Sequence, residues 1–322
     1  MARRAPHADP AAPRNPHCAD DRTSGAGMTS TGDDTAVREG HVISRDGTRI
    51  GVLRRGHGPG LVLVQGAMAT AVQFGELAEA LAADFTVLTP DRRGRGRSPR
   101  PYDSTHDIAR DVEDVDAVLA AAGASHVFGL SSGAVIALEA ARTLPRVTAA
   151  AVYEPPFYAP GRFDHDGVRQ LHVEIEQGRP GAALVTSLET SGTAPGLLRR
   201  LPRPAARLLA RCVLALDARV PGDESPLREL LPGSRYDFHV VAEMDGRRHT
   251  LATLDRPTLV LSGTASPAFL RQSSRELAAA LPHARHVELD GLGHSGPWNV
   301  RRGGRPEQVA PALRRFFTSH PE

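Results

Sequence analysis

The sequence contains no lysine, so all 39 of its basic residues are arginines. Its two cysteines, Cys18 and Cys212, lie far apart and in no CxxC pattern, which excludes a disulfide scaffold and a cysteine zinc site. No apolar run reaches the ~18 residues that a membrane-spanning helix needs, and no apolar signal-peptide segment follows Arg3 and Arg4. We therefore expect a soluble, cytoplasmic protein without a membrane partner.

Charge of one sign is not in excess either. The 39 basic residues stand against 37 acidic residues, and this balance gives no reason to expect a nucleic-acid partner. There is no HExxH motif and no EF-hand loop, and Gly94 and Gly96 do not complete a GxGxxG fingerprint. We therefore expect a protein that acts on a small-molecule substrate with neither a metal nor an organic cofactor. The sequence leaves the oligomeric state open.

The pattern along the chain predicts an α/β protein. Residues 1–36 contain almost no large apolar side chains, and we expect a disordered extension there. Beyond it, Asp46-Gly47 joins two short strands in a hairpin, and strand-like and helix-like segments then alternate. This alternation predicts a mostly parallel, doubly wound sheet of about eight strands. Residues 155–256 show no clear strand and predict a helical insertion between two parts of one core, 37–154 and 257–322.

One segment of the insertion has apolar residues at helical spacing, with Arg207 and Arg211 on the opposite side. These apolar residues are Ala205, Leu208, Leu209, Cys212, Val213 and Leu216. A basic amphipathic helix of this kind could serve a membrane surface. The preferred interpretation is an ordinary helix that packs its apolar face over the sheet.

The most specific motif is GxSxG, formed by Gly129-Leu130-Ser131-Ser132-Gly133 between a predicted strand and a predicted helix. In such a tight turn the central side chain is strained and exposed, and the flanking glycines are needed because a Cβ would collide with neighbouring backbone. Ser131 is therefore the candidate nucleophile. The backbone N–H of Ser132 points to where an oxyanion would form.

With this motif in place, residues 40–320 resemble the α/β-hydrolase superfamily, in its serine-nucleophile branch with a helical cap. The loop Asp-Arg-Arg-Gly-Arg-Gly-Arg-Ser at 91–98 is similar to that family's DxRGxGxS pattern, and His294 follows the last predicted strand. The resemblance implies that residues 155–256 form the cap and that His294 is the base that activates Ser131. Competing histidines elsewhere in the chain include His106, His239 and His286.

The acid of the catalytic triad departs from the commonest pattern of the family. Its usual position after the seventh strand holds Ser266 instead of a carboxylate. Glu154 follows the sixth strand, at a site that some members use for the acid, and the carboxyl end of a parallel strand lies at the rim where ligands bind. The resemblance therefore implies Glu154 as the acid, with Asp290 as a weaker candidate. The plain alternative is that Glu154 pairs with an arginine at the cap hinge.

The oxyanion site is also unusual, because this chain has Gln65-Gly66-Ala67-Met68 where most relatives carry His-Gly after the third strand. Oxyanion binding demands only backbone N–H groups. Ala67 and Ser132 are therefore the expected donors, and Met68 is expected to contact the substrate. Replacement of histidine by Gln65 changes the hydrogen bonding that braces this loop.

Four arginines crowd the loop after the fourth strand. They are Arg92, Arg93, Arg95 and Arg97. Paired hydrogen bonds from such a cluster could bind an anionic substrate. The preferred interpretation is a solvated loop that the fold carries in any case.

Together these residues predict a cofactor-independent serine hydrolase for an ester, thioester or lactone of a small, largely apolar substrate. Ser131 would attack the carbonyl, His294 would transfer the proton, and Glu154 would hold the imidazole. Because Gln65 and Ser266 are unusual, two alternatives stay open: a non-hydrolytic enzyme of this fold for a cyclisation or rearrangement, and a small-ligand binding protein. Hydrolysis of a C–C bond would use the same triad and also stays open.

Overall fold

The computed structural model describes Met1, residues 36–222 and residues 224–320. Of the extension predicted over residues 1–36, only the first and last residues are therefore described, and Cys18 lies outside the described residues. The strands are β1 (Arg38–Ile43), β2 (Arg49–Arg55), β3 (Gly60–Val64), β4 (Thr86–Pro90), β5 (His126–Leu130), β6 (Ala149–Tyr153), β7 (Thr258–Gly263) and β8 (Ala284–Leu289). They form one sheet in the order β1-β2-β4-β3-β5-β6-β7-β8.

The prediction of a mostly parallel sheet of about eight strands is confirmed. Only β1 with β2 and β2 with β4 pair antiparallel, and all other neighbours are parallel. The predicted hairpin joins β1 and β2: Asp46 Oδ1 accepts the Thr48 N–H at 3.0 Å, and Gly47 adopts a φ of 81°. This is the left-handed turn conformation that glycine adopts at no steric cost.

Helices cover both faces of the sheet. Those outside residues 155–256 are α1 (Gly75–Leu81), α2 (Ile108–Ala122), α3 (Ser132–Thr143), α10 (Ala268–Ala280) and α11 (Pro306–Thr318). Those inside are α4 (His165–Glu176), α5 (Pro180–Thr190), α6 (Gly196–Arg200), α7 (Arg203–Asp217), α8 (Leu227–Leu230) and α9 (Ser234–Glu243). Among the described residues, no helix combines the length and apolar character that a membrane span requires.

The core lies in two layers because successive side chains of a strand point to opposite faces. In β3, Val62 and Val64 pack with α2 and α3, while Leu61 and Leu63 pack with α1 and α11. All five residues of this strand are buried, as expected for a parallel strand that is covered on both sides. The central strands are thus fixed in position, and the loops at their carboxyl ends can carry a site.

The helices between β6 and β7 have a hydrophobic cluster of their own, and α9 packs directly against α3. The predicted helix near residue 205 is present as α7, but the interpretation of its faces is wrong. Ala206, Ala210 and Leu214 form the buried stripe, whereas Leu208 and Leu216 are each 61% exposed. The small alanines allow α7 to approach α5 closely, and the larger side chains are left in solvent.

Candidate active site

Ser131 lies in the sharp turn between β5 and α3. Its φ of 55° and ψ of −122° are strained for a residue with a side chain, and its N–H donates to the Tyr153 carbonyl at 2.9 Å. A Cβ on Gly129 would lie 2.3 Å from the Gly133 carbonyl oxygen, and one on Gly133 would lie 2.4 Å from the Gln65 carbonyl oxygen. The tight packing behind the turn therefore requires both glycines and directs the serine outward.

His294 lies in the loop after β8 and bonds to Glu154. Its Nδ1 is 2.7 Å from Glu154 Oε2, and the second carboxylate oxygen, Oε1, accepts the Gly263 N–H at 2.8 Å. Glu154 is fully buried and has a φ of 49°. A buried carboxylate held by a backbone donor on one oxygen and by an imidazole on the other fixes the orientation of the ring and leaves Nε2 as the nitrogen for proton exchange.

Tyr153, which precedes Glu154, holds the histidine loop from the other side. Its hydroxyl donates to the Gly293 carbonyl oxygen at 2.8 Å. Burial of the ring, together with the neighbouring Glu154 charge, raises the pKa of the Tyr153 hydroxyl well above its usual value. The hydroxyl therefore stays protonated and remains a donor to the backbone beside His294.

The competing residues are engaged elsewhere. The exposed Asp290 accepts a hydrogen bond from Thr264 at 3.1 Å. The three competing histidines bond to Asp111 (His106, 2.7 Å), Tyr102 (His239, 2.8 Å) and Ser262 (His286, 2.9 Å). Burial, followed by the nearby His106, lowers the pKa of His239. Across residues 36–222 and 224–320, Glu154 forms no ion pair with an arginine, so the cap-hinge alternative has no support here.

Ser131 and His294 line the same small cavity. It has a volume of about 40 Å³, room for roughly three water molecules. Its lining comprises Ala67, Ser131, Ser132, Pro156, Tyr158, Ser191, Thr193, Asp237, Phe238, Val241, Leu270 and His294.

Within the described part of the chain, no hydrogen bond of 3.5 Å or less joins the Ser131 hydroxyl to His294. Contacts of this kind are often long before substrate binds. Met68 is outside this lining and packs against the hydrophobic cluster of the insertion.

Ala67 and Ser132 meet at the cavity beside Ser131. The buried Gln65 side chain donates to the Pro90 carbonyl oxygen at 2.8 Å, so this amide braces the loop that begins at residue 65. Met68 in the same loop has a φ of 56°. Three non-glycine residues of the described chain have positive φ, namely Met68, Ser131 and Glu154, and all three belong to loops that form this site.

The preferred interpretation of the arginine loop is wrong. Arg92, Arg93 and Arg95 are almost completely buried, and only Arg97 reaches solvent. Arg93 pairs with Asp114 at 2.6 Å. The anion-binding alternative also fails at this cavity, since no arginine belongs to its lining as described. The sequence could not reveal this, because the acids that neutralise the arginines come from distant segments.

Arg92 and Arg95 converge on Asp237, a residue of α9 that sequence reasoning missed. Arg92 bonds to one carboxylate oxygen of Asp237, and Arg95 bonds to the other at 2.9 Å. The Ser132 hydroxyl also donates to Asp237, at 3.0 Å. Arg92 also pairs with a second buried carboxylate, Asp111, at 3.3 Å. Burial raises the pKa of Asp111, but the hydrogen bond from His106 and the charge of Arg92 outweigh this effect and lower the pKa to about 2. Two buried guanidinium groups thus face two carboxylates.

These arginines also reach residues 65–69, the loop predicted to bind the oxyanion and called the oxyanion loop below. Arg92 donates to the Gln65 carbonyl oxygen at 3.3 Å, and Arg95 donates to the carbonyl oxygens of Gly66 and Ala69 at 3.4 and 3.3 Å. Since Arg92 also donates to the Ser132 hydroxyl at 2.9 Å, a single buried network contacts both residues beside the expected oxyanion position.

The sheet has eight strands and is mostly parallel, and its carboxyl edge carries a serine in a strained turn and a histidine bonded to a carboxylate. This combination defines an α/β-hydrolase. The family model described as "Alpha/beta hydrolase family" matches residues 61–312, and the chain belongs to this family. It is a hydrolase of the carboxylic-ester type.

Two relatives are similar over nearly their whole length. A pimeloyl-[acyl-carrier protein] methyl ester esterase of Xanthomonas campestris pv. campestris is 32% identical over 274 residues, which cover 83% of this chain and 98% of the relative. The crystal structure of an alpha/beta hydrolase from Sphaerobacter thermophilus has a TM-score of 0.68 and 33% identity, and the match covers 86% of this chain and 100% of that one. A thermophilic esterase from Thermogutta terrifontis, with a TM-score of 0.64 and 19% identity, shares the fold.

Proposed function

We propose that the protein is a serine esterase with Ser131 as nucleophile, His294 as general base and Glu154 as the acid of the triad. The observation that carries this proposal is the 2.7 Å bond between the fully buried Glu154 and His294, which lines the same cavity as the strained Ser131. Glu154 supplies the carboxylate that is missing at Ser266. This pairing favours hydrolysis over the binding and rearrangement alternatives, which rest on an incomplete triad.

The reaction runs in two halves. Ser131 Oγ attacks the ester carbonyl while His294 Nε2 accepts its proton, and His294 returns that proton to the departing alcohol. Water then attacks the acyl-serine with His294 again as base, which releases the carboxylic acid and restores Ser131. The N–H groups of Ala67 and Ser132 hold the developing negative charge, each worth roughly 3 kcal/mol. The hydroxyl–imidazole contact tightens when substrate fills the cavity.

A fluorophosphonate probe is expected to add to Ser131, because this hydroxyl lines the same cavity as His294, its proposed base. Intact-mass analysis of the full chain should show one adduct, and peptide mapping should place it on Ser131. The adduct should be absent from Ser131→Ala. It should persist in Ser295→Ala, whose hydroxyl donates to the Gly303 carbonyl oxygen instead. An unlabelled native protein would overturn the proposal.

The substrate we propose has a short, uncharged, largely apolar acyl group. Phe238, Val241 and Leu270 supply apolar wall, and the volume of about 40 Å³ limits length. Among the described residues of the lining, Asp237 is the only carboxylate, and it already pairs with two arginines. An anionic acyl group would therefore find no free partner here, and the cost of removing its charge from water would be uncompensated.

We expect kcat/KM for p-nitrophenyl esters to be highest from acetate to butyrate and to fall at least tenfold, on the order of 1.4 kcal/mol, by octanoate. Phe238→Ala should move the optimum toward longer chains, since it removes a wall of the cavity. Val300→Ala, which shortens an exposed side chain, is the matched control and should leave the order of substrates unchanged. A preference for octanoate in the unaltered protein would contradict the small acyl site.

A further inference from the structure

Helix α7 presents a broad apolar face to solvent. Its buried stripe is narrow and consists of Ala206, Ala210 and Leu214. The residues that fill the opposite side are Ala205, Leu208, Leu209, Cys212, Val213, Ala215 and Leu216, all exposed. An amphipathic helix of a globular protein ordinarily turns its apolar face to the core. Here that face is outside, and a contiguous exposed apolar surface is typical of an interaction site.

The surroundings of this face are strongly positive. Between residues 196 and 220 there are six arginines and one acidic residue, Asp217. That aspartate is already bound, by Arg302 at 2.7 Å and by the Leu227 N–H at 2.6 Å. Neither Arg211 nor Arg219 forms an ion pair with any residue that the structure describes. Because the whole chain carries a net charge of only +2, this is a local excess.

A groove beside α7 adds to the same charge. It has a volume of about 650 Å³, and four arginines belong to its lining: Arg179, Arg207, Arg211 and Arg228. Of these, only Arg207 has a carboxylate partner among the described residues, Glu174 at 3.5 Å. Phosphate groups are natural partners for arginines that are left without carboxylates.

Three possible occupants of this face differ in chemistry. Residues 1–36 contain almost no large apolar side chains and have little with which to cover it. A second copy in a two-fold dimer would bring the same arginine-rich patch against itself, and like charges would repel. A lipid bilayer with anionic headgroups offers both an apolar interior and negative phosphates, the two environments that a basic amphipathic helix occupies at an interface.

We propose that α7 lies on an anionic lipid surface, with Leu208, Leu209, Val213 and Leu216 among the acyl chains and the flanking arginines at the level of the phosphates. The sequence alone favoured no membrane partner, because the preferred interpretation buried this face. The exposure of the helix reverses that expectation. This inference does not depend on Ser131 chemistry, so Ser131→Ala protein should bind lipid as well as the unaltered chain does.

The test is cosedimentation of the full chain with vesicles of phosphatidylcholine alone or mixed with phosphatidylglycerol. We expect binding at least tenfold stronger to the mixed vesicles, and weaker binding as salt screens the arginines. Leu208→Gln with Leu216→Gln, and separately Arg211→Gln with Arg219→Gln, should each lower the partition coefficient roughly tenfold or more. Ile43→Gln and Arg285→Gln change exposed residues of the sheet strands β1 and β8 and should bind normally.

Three kinds of result would overturn the proposal. The first is an absence of binding to both kinds of vesicle by protein whose thermal melt is normal. The second is equal binding to neutral and anionic vesicles, or binding that neither double variant changes. The third is a dimer in sedimentation velocity that the Leu208→Gln, Leu216→Gln variant dissociates, since a second copy would then cover the face.

Discussion

Replacement of Glu154 by Gln is expected to lower kcat by about 10⁴, the effect of removing the negative charge behind a triad histidine while keeping its shape. In the native site the carboxylate accepts from His294 Nδ1 at 2.7 Å and from the Gly263 N–H at 2.8 Å. A neutral amide can still accept from Gly263, but it no longer stabilises the imidazolium, and it can select the wrong tautomer of His294. Steady-state hydrolysis of p-nitrophenyl acetate measures the loss.

Asp290→Asn is the matched control for Glu154→Gln. Both variants replace a carboxylate near the carboxyl edge of the sheet by its amide, but Asp290 is exposed and bonds to Thr264. We expect its kcat to stay within about twofold of the native value, as for a surface change away from the site. Nearly native turnover in a folded Glu154→Gln protein would remove Glu154 from the triad, and a large loss in Asp290→Asn would assign the role there.

Local signals explain why the residues of the proposed triad could be selected from the sequence. The GxSxG turn needs Gly129 because of contacts within a few residues, whereas Gly133 is needed because of the distant Gln65 carbonyl oxygen. The buried strand before the turn is visible as an apolar run. Glu154 and His294 each follow a strand, and parallel strands bring their carboxyl ends to one edge. Order along the chain and the rules of sheet packing therefore suffice to place Ser131, Glu154 and His294 near one another.

The faces of α7 show where such reasoning fails. The helical period predicted an apolar side and a basic side, but the period does not say which side meets a neighbour. The contact is decided by size: a Cβ on Gly181 of α5 would lie 2.8 Å from the Arg207 carbonyl oxygen, so the two helices approach closely along small residues such as Ala206 and Ala210. Ridge-and-groove fit of this kind depends on the partner helix and leaves no signature in the hydrophobic pattern of α7 itself.

The prediction for the arginine loop is wrong for a related reason. Four arginines within six residues indicate a solvated segment, because a guanidinium is almost never fully buried unless it is paired. The partners are Asp111 and Asp114 on α2 and Asp237 on α9, the last of them 142 positions beyond Arg95. Pairing between residues so far apart in the sequence is a property of the fold. No local pattern in the sequence marks Asp237 as the centre of this ion-pair network.

Asp237→Asn is therefore expected to destabilise the protein by about 3–5 kcal/mol, the usual cost of removing one partner from a buried ion pair. The side chains of Arg92, Arg95 and Asp237 are 4%, 0% and 1% exposed, so water cannot replace the lost charge. Arg92 would retain Asp111 at 3.3 Å, but Arg95 would face only neutral oxygens. Urea unfolding measures the effect through a lower midpoint at an unchanged m value.

Asp116→Asn provides the comparison, because Asp116 pairs with Arg146 at 2.5 Å while both side chains are about two-fifths exposed (39% and 43%). An exposed pair of this kind contributes at most about 1 kcal/mol. Equal midpoints for the two variants would show that the Asp237 network adds nothing beyond a surface pair.

The network also predicts an effect on catalysis, because Arg92 and Arg95 bond to the backbone of the oxyanion loop and Arg92 bonds to Ser132. Asp237→Asn should therefore lower the kcat of the folded protein, whereas Asp116→Asn should leave it unchanged.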